Sequence, residues 1–155
     1  MKKKKTIIYV IAVIVIIVLS LFNSNDGKTK VELIRCIDGD SSVLLIDGEE
    51  VECRFIAIDA PELATDIGQE VREYTNELLR NANNLYIELD PKSDEYDKFD
   101  RYLCWLWVDD ELLEEILVRN GYAKVKYIYD DYKYVDELNR LQDIAKKEKL
   151  GIWSK

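Results

Sequence analysis

The stretch VELIRCIDGDSSVLLIDGEEVECRFIAID, residues 31–59, holds three apolar, β-rich runs separated by two turn signals. The runs and turns are, in order, Val31–Ile37, Asp38–Ser41, Ser42–Ile46, Asp47–Gly48 and Val51–Ile58. Asp-Gly between two apolar runs is a strong signal for a β-hairpin, and Asp-Gly-Asp-Ser is typical of a turn. The stretch therefore predicts a three-stranded meander, with Asp40 just past the first strand and Asp59 just past the third.

Two further strands and three helices are predicted after the meander. In order they are a helix at 68–83, strands at 85–89 and 101–108, a helix at 111–120, an extended segment at 122–129 and a helix at 135–150. Gly121, directly after the second helix, is the expected C-terminal glycine. This order suits a closed OB-type five-stranded barrel with helical additions, an α+β fold that is mainly β. An open α+β sheet is the alternative.

A membrane-directed segment precedes the predicted domain. Lys2–Lys5 are followed by TIIYVIAVIVIIVLSLF, residues 6–22, which contains no charge. Its length is at the short edge for a bilayer span and slightly above a usual signal-peptide core. Residues 1–22 are therefore predicted to be a signal anchor or a signal peptide, and the lack of a small-x-small cleavage pattern favours the anchor. The lysines predict a cytoplasmic N-terminus, with a linker at 23–30 and the domain, 31–155, outside the cytoplasm.

The charge balance argues against a broadly basic surface for nucleic acid. The chain has 22 Lys and Arg and 31 Asp and Glu; residues 1–30 hold six and one of these, so residues 31–155 carry 16 minus 30, or −14. Proteins that bind phosphates normally carry the opposite sign. Nucleic-acid binding would therefore depend on local cationic side chains or on a bound metal.

Histidine is absent, and the three cysteines lack metal-ligand spacing. This excludes Ser-His and Cys-His nucleophile pairs and His-ligated zinc sites, and leaves carboxylates, Lys and Tyr for acid–base work. Cys36, Cys53 and Cys104 allow at most one internal disulfide and a free thiol. Packing as small apolar residues is the favoured interpretation for all three.

RFIAIDAPE, residues 54–62, places an arginine and two acids around the third strand. Strand alternation puts Arg54 on an apolar face, where it needs an anionic partner. In a closed barrel the ends of the first and third strands can be neighbours, which brings Asp40 towards Asp59 and Glu62. Carboxylates that lie together repel unless a cation neutralises them, and oxygen ligands suit Ca²⁺. Solvated turns and a surface arginine explain each feature separately, but not their joint occurrence.

Five short motifs then point to a known family. They are DGDS at 38–41, RFIAIDAPE at 54–62, DKFDR at 97–101, AKVKYIY at 123–129 and AKKEKLGIWS at 145–154. In this order they closely resemble the staphylococcal (thermonuclease) nuclease family over essentially all of residues 31–155. The resemblance implies an OB-type five-stranded barrel with three helices. It also implies a Ca²⁺-dependent nuclease that hydrolyses DNA and RNA with little sequence preference.

The resemblance further implies roles in metal binding, catalysis and substrate binding. Metal would be bound by Asp40, Asp59 and the carbonyl of Ala60. Arg54 and Arg101 would bind the scissile phosphate, and Glu62 would orient or deprotonate the attacking water. The nucleotide would be bound by Lys98, Phe99, Tyr127 and Tyr129. Two planar guanidiniums and a divalent cation stabilise the charge that develops on the phosphoryl oxygens. Lys124 and Lys126 add positive charge on the expected substrate side.

Three positions depart from the family's usual residues. Phe99 and Asp100 replace a tyrosine and a glycine, so a hydroxyl that would grip a terminal phosphate is lost and an anion is placed next to Arg101. Because Asp tolerates turn conformations that favour glycine, the turn itself is expected to survive. Ala60 replaces a threonine, which is harmless if only its carbonyl binds metal.

Three hypotheses follow for function. The first is a monomeric Ca²⁺-dependent nuclease, anchored to the outside of a bacterial cell membrane or secreted. The second is a catalytically weak or inactive nuclease-like module that binds nucleic acid or a protein partner, and it is motivated by the acidity and by Phe99 and Asp100. The third, a membrane-tethered calcium-binding or structural protein, accounts for the acids but not for Arg54 and Arg101. The first is favoured because every predicted catalytic and metal-binding side chain is present.

Overall fold

The computed structural model describes residues 27–154. The elements are β1 (Lys28–Cys36), β2 (Ser41–Ile46), β3 (Glu49–Phe55), β4 (Ile58–Asp59), α1 (Asp66–Asn81), β5 (Leu85–Glu88), β6 (Tyr102–Val108), β7 (Glu111–Leu112), α2 (Leu113–Arg119), β8 (Lys124–Val125), α3 (Val135–Glu148) and a 3₁₀ turn (Gly151–Trp153). The predicted signal segment, 1–22, lies outside the described residues. β1 begins at Lys28, so the last three residues of the predicted linker, 23–30, belong to the first strand instead.

Five of the strands close into a barrel. β1 pairs antiparallel with β2 and with β5, β2 pairs with β3, and β5 pairs with β6. The ring closes where β3 runs parallel to β6, with Arg54 opposite Leu103. The predicted closed barrel with three helices is therefore confirmed, and the open-sheet alternative is wrong.

The turn between β2 and β3 has the predicted hairpin chemistry. Asp47 and Gly48 have φ angles of 51° and 88°, the left-handed conformations that a two-residue primed turn requires. The hairpin register places Ser41 opposite Arg54. Since Ser41 follows Asp40 directly, this pairing carries Asp40 and Arg54 to the same end of the barrel.

The predicted third strand, 51–58, is broken near its end. β3 stops at Phe55, Ala57 has a φ of 61°, and Ile58–Asp59 form β4, which pairs with β8 in a separate two-stranded sheet. A positive φ takes the chain out of the β region, so the alternation predicted through residue 58 fails there. The apolar run hides this break because residues 53–58 are all buried.

The helices begin and end where local chemistry directs them. α1 begins two residues earlier than predicted, since Thr65 caps it and its hydroxyl accepts the Gly68 N–H at 3.0 Å. α2 begins later than predicted, because Glu111–Leu112 pair with β6 as β7. Gly121 follows α2 with a φ of 69°, as predicted.

The C-terminal third contains less regular structure than predicted. Of the extended segment 122–129, only Lys124–Val125 form a strand, and Tyr127 has a φ of 60°. α3 ends at Glu148 rather than 150, because Lys149 takes a left-handed conformation with a φ of 55°. The left-handed conformation of Tyr127 turns the chain sharply just after β8.

The core fills the barrel and the space between it and the helices. Its largest fully buried side chains include Leu44, Phe55, Ile58, Trp105 and Leu117. All three cysteines are buried and unpaired, in agreement with their interpretation as packing residues. Within residues 27–154, no helix is long and apolar enough to cross a membrane.

Candidate active site

Arg54 is buried at the end of β3 and paired with Asp40. The two side chains are only 10% and 9% exposed, and Arg54 Nη2 lies 3.2 Å from Asp40 Oδ2. The same Nη2 donates to the Ile58 carbonyl at 2.7 Å, and Nη1 donates to the Phe55 carbonyl. Asp40 is therefore the anion that the sequence requires for Arg54, and two main-chain carbonyls fix the guanidinium plane.

The Asp40 carboxylate also contacts the chain just after β4. Its Oδ2 accepts the Ala60 N–H at 2.6 Å, while Oδ1 accepts the Ser41 hydroxyl at 3.2 Å. Because the Ala60 N–H belongs to the peptide that joins it to Asp59, this hydrogen bond places Asp40 beside that peptide. The two acids predicted to bind metal thus lie at the same end of the barrel.

The turn that carries Asp40 depends on a glycine. Asp38 Oδ1 accepts the Asp40 N–H at 3.0 Å, which closes a local turn. A Cβ added at Gly39 would lie 2.5 Å from Val71 Cγ1 and 2.7 Å from the Ala60 Cβ. The missing side chain therefore allows the turn to pack between α1 and the chain after β4.

Burial raises the pKa of Asp40 to about 6, although the Arg54 guanidinium and the Ala60 N–H both work to lower it. A carboxylate in this position pays a residual cost for its charge, because burial disfavours the ionised form. A cation next to Asp40 would reduce that cost.

Asp59 ends β4, and its carboxylate is paired with Lys126. β4 and β8 place Asp59 opposite Lys124, and the Lys126 N–H donates to the Ala57 carbonyl at 3.0 Å. The Lys126 ammonium then lies 2.8 Å from Asp59 Oδ2. This hydrogen bond raises the pKa of Lys126 above its usual value, so the lysine stays charged.

Asp40, Asp59 and the Ala60 carbonyl would offer a metal only oxygen donors. Such donors suit a hard cation such as Ca²⁺, which also accepts waters as ligands. Within residues 27–154 there is no group of three or more Asp, Glu, Cys or His side chains that would hold a metal. With two carboxylates and one carbonyl, the donor set suits a hard cation that keeps several waters as ligands.

Glu62 lies in the loop between β4 and α1, and its side chain is exposed. Its main-chain carbonyl accepts the Thr65 N–H at 2.9 Å and the Thr65 hydroxyl at 2.7 Å. A Cβ added at Gly68 would lie 2.0 Å from the same carbonyl, so the start of α1 packs tightly on this loop. The Glu62 carboxylate itself makes no hydrogen bond or ion pair with any described residue, which leaves it available as a base.

Arg101 is the last residue of a tight turn formed by residues 97–101. Asp97 Oδ1 accepts the N–H groups of Phe99 and Arg101 at 2.9 Å and 3.0 Å. Asp100 has a φ of 59°, so it takes the glycine-like conformation that the sequence led us to expect. The turn therefore survives the replacement of glycine.

The carboxylate in contact with Arg101 belongs to Asp97 and not to Asp100. Arg101 Nε and Nη2 donate to Asp97 Oδ2 at 2.8 Å and 2.6 Å. Burial works to raise the pKa of Asp97, but the hydrogen bonds from Arg101 and from the Phe99 N–H outweigh it and hold the pKa below its usual value. Asp100 is exposed and forms no ion pair within residues 27–154.

The pairing of β3 with β6 brings the two arginines to one rim of the barrel. Arg54 is opposite Leu103, and Arg101 precedes Leu103 by two residues. Arg101 lies directly before β6, so its main chain is separated from that of Arg54 by about one strand spacing and a short step along the strand direction. We call this end of the barrel, with Asp40, Arg54, Asp59, Glu62 and Arg101, the acidic–arginine rim.

The predicted substrate-binding residues are all exposed. They are Lys98, Phe99 (67% exposed), Tyr127 (46%) and Tyr129 (82%). The Tyr127 ring centroid lies 5.9 Å from Arg54 Cζ, and the Phe99 ring centroid lies 5.5 Å from Arg101 Cζ. Each arginine of the rim is thus accompanied by an exposed aromatic ring, whereas Tyr129 has no such contact among the described residues.

Sequence reasoning missed the roles of Asp97, Lys126 and Glu114. Glu114 lies on α2, fully buried, with its carboxyl oxygens 3.3 Å and 3.4 Å from the Leu106 nitrogen. Burial raises its pKa well above the usual value, against a lowering effect of Arg54. In the sequence it resembles an ordinary acid in the first turn of a helix; only the apolar residues on both sides of it hint at burial.

Comparison with known proteins agrees with this geometry. A family model described as staphylococcal nuclease homologue matches residues 52–155, more than half of the chain. The chain belongs to the staphylococcal nuclease family. The match includes Arg54, Asp59, Glu62 and Arg101, while Asp40 lies before it. The closed barrel with three helices is consistent with the OB-type fold of this family.

Three curated relatives extend the comparison. Endonuclease YncB of Bacillus subtilis (strain 168) is 34% identical over 132 residues, covering 81% of this chain and 62% of YncB. The SPbeta prophage-derived endonuclease YokF of the same organism is 35% identical over 132 residues, covering 81% of this chain and 44% of YokF. Thermonuclease of Staphylococcus hyicus is 32% identical over 140 residues, covering 86% of this chain and 80% of that protein. The family member described here therefore spans about half of the length of the two Bacillus relatives.

Proposed function

We propose that this chain is a Ca²⁺-dependent nuclease that hydrolyses phosphodiester bonds in DNA and RNA with low sequence specificity. The observation that carries the proposal is the acidic–arginine rim, where the Asp40–Arg54 pair lies against the Asp59–Ala60 peptide and Arg101 stands directly before the neighbouring strand, β6. The names of the relatives, two endonucleases and a thermonuclease, support the same reaction class.

The side chains of the rim have different roles in phosphodiester hydrolysis. Glu62 accepts the proton of the attacking water, and a positioned base of this kind contributes roughly 10²- to 10⁴-fold in rate. Arg54 and Arg101 donate hydrogen bonds to phosphoryl oxygens, which gain negative charge in the transition state. Asp40, Asp59 and the Ala60 carbonyl would hold a Ca²⁺ ion, which when bound would supply further positive charge to stabilise the transition state.

Low sequence specificity follows from how the rim meets the nucleotide. Phe99, Tyr127 and Tyr129 offer exposed rings, and base stacking on an aromatic ring tolerates every base. Phosphate contacts made by Arg54 and Arg101 position the substrate without reading its sequence. The net acidity of the domain predicts weak binding to long duplexes, so single-stranded substrates are expected to be cleaved best.

The proposal is tested by Glu62→Gln in the purified full-length chain, kept in mild detergent. We expect cleavage of single-stranded DNA with Ca²⁺ to fall by ~10²-fold or more. Thermal unfolding should not change, because the Glu62 side chain is exposed and unpaired. Glu73→Gln, an exposed acid on α1, serves as the matched control. Undiminished cleavage by the Glu62 variant, or full cleavage in EGTA, would overturn the proposal.

We further propose that the domain acts as a monomer outside the cell, anchored to the membrane or released from it. Support comes from the lysines and the uncharged run at residues 2–22. Proteolysis of intact cells should degrade the domain while a cytoplasmic marker survives, and size-exclusion chromatography should give a monomer. Protection from external protease together with absence from the medium would contradict this location.

A catalytically weak module that binds nucleic acid is the second candidate, and one observation favours it. Arg101 forms an ion pair with Asp97, Arg54 with Asp40, and Asp59 with Lys126. Every charged side chain of the rim except Glu62 therefore already has a counter-ion within the protein. Measuring binding and cleavage of the same labelled oligonucleotide separates the two: binding without Ca²⁺-dependent cleavage supports the second candidate.

A further inference from the structure

The two proposed metal-binding carboxylates have counter-ions of very different kinds. Asp40 is paired with Arg54, and both side chains are almost fully buried. Asp59 is paired with Lys126, whose side chain is 50% exposed. A buried guanidinium held by two carbonyls cannot leave its partner without large rearrangement, whereas an exposed lysine side chain can rotate into water. Only the counter-ion of Asp59 is therefore displaceable.

The main chain, and not chance contact, brings Lys126 to Asp59. β4 and β8 pair directly before it, and the Lys126 N–H donates to the Ala57 carbonyl at 3.0 Å. Positive φ angles at Ala57 and Tyr127 turn the chain on both sides of this contact. The ammonium also lies 4.6 Å from the Tyr127 ring centroid, which gives it a second favourable contact. The fold thus presents the lysine to this carboxylate.

A divalent cation and the ammonium then compete for the same oxygen. The Lys126 Nζ lies 2.8 Å from Asp59 Oδ2. An ammonium and a divalent cation that contacted this oxygen at the same time would repel each other strongly. A cation bound to Asp59 Oδ2 must therefore move the ammonium away, and one bound to Oδ1 would still be repelled by it. The moved ammonium stays beside the rim, because Lys126 is anchored through its main chain.

We propose that Lys126 is the residue that sets the calcium affinity of the rim, by neutralising Asp59 in the metal-free protein and being displaced when the ion binds. This inference rests on the proposed function, since it takes Asp59 as a calcium ligand. It explains how Asp40 and Asp59 can lie at the same end of the barrel in the metal-free fold.

The test is calcium binding to the full-length chain by isothermal titration calorimetry, without substrate, at low ionic strength. Lys126→Met should bind Ca²⁺ about three- to ten-fold more tightly than the natural chain, because one competing charge is gone. Lys126→Arg should stay close to the natural affinity. Lys30→Met is the matched control: it removes an equal charge from an exposed side chain near the start of β1, at the opposite end of that strand from the turn that carries Asp40. It should change affinity less than about two-fold.

The outcomes separate this inference from the proposed function. Equal affinity of Lys126→Met and the natural chain, with binding lost in Asp59→Asn, overturns the role of Lys126 and leaves the calcium site in place. An equal gain in Lys30→Met overturns it too, since general electrostatics would then suffice. Binding by Lys126→Met alone supports it, and absence of binding in both chains overturns the inference and the proposed function together.

Discussion

Arg54 lies inside the barrel wall, where Asp40 and the carbonyls of Phe55 and Ile58 hold it, whereas Arg101 lies on an open turn, where Asp97 is its partner. The first is buried and the second is 26% exposed. Arg54 is thus part of the buried structure that supports the rim, whereas the barrel does not depend on Arg101. The two should therefore fail in different ways when they are removed.

Replacing Arg54 should damage the fold most. Arg54→Met leaves Asp40 buried without its partner, and breaking a buried ion pair in this way costs about 3–5 kcal/mol of unfolding free energy. Urea unfolding monitored by tryptophan fluorescence measures the change. The double variant Asp40→Asn with Arg54→Met should recover part of the loss. A cost no larger than that of removing Arg101 would show that the buried pair does not hold the rim together.

Replacing Arg101 should damage activity and spare the fold. Arg101→Met removes a phosphate donor, and the loss of one such donor lowers kcat by about 10²- to 10³-fold. The unfolding free energy should fall by about 1 kcal/mol or less, since the Asp97 pair is partly exposed. Lys98→Met, on the same turn, is the matched control for a lost positive charge. Equal losses of cleavage in the two variants would mean that Arg101 acts only through general charge.

The same contrast separates what the sequence predicts from what it hides. The closed barrel, the Asp47–Gly48 turn and the need of Arg54 for an anion follow from local patterns. The break at Ala57 does not, because residues 53–58 form one buried run and only the pairing of β4 with β8 reveals it. That pairing joins segments far apart in the chain, so the contact of Lys126 with Asp59 has no local signal.

The buried carboxyl of Glu114 should make the stability of the barrel interior depend on pH. Burial raises its folded-state pKa above the usual 4.5, so the folded chain binds the proton more tightly than the unfolded chain. Stability from this group is therefore fully present below pH 4.5 and is lost as pH rises towards the folded pKa. Glu114→Gln should match the natural chain at pH 4 and exceed it by about 1–3 kcal/mol at pH 8. Urea unfolding across this range measures the difference, with Glu73→Gln as baseline; a difference that does not grow with pH would contradict it.

A change at Phe99, on the exposed turn that carries Arg101, should have the smallest effect on cleavage. Phe99→Tyr adds a hydroxyl on the turn that precedes Arg101, where it can donate to a terminal phosphate, and one hydrogen bond of this kind is worth about 0.5–1.5 kcal/mol, or about 2- to 10-fold in kcat/KM. The unfolding free energy should not change, because the Phe99 side chain is 67% exposed. Cleavage of short oligonucleotides with and without a terminal phosphate measures the gain, which should appear only with the phosphate. Tyr96→Phe removes a hydroxyl from another exposed ring and should leave both substrates unaffected. An equal gain on both substrates would show that the added hydroxyl acts on the Arg101 turn itself, and that the open turn and the buried wall are less independent than their burial suggests.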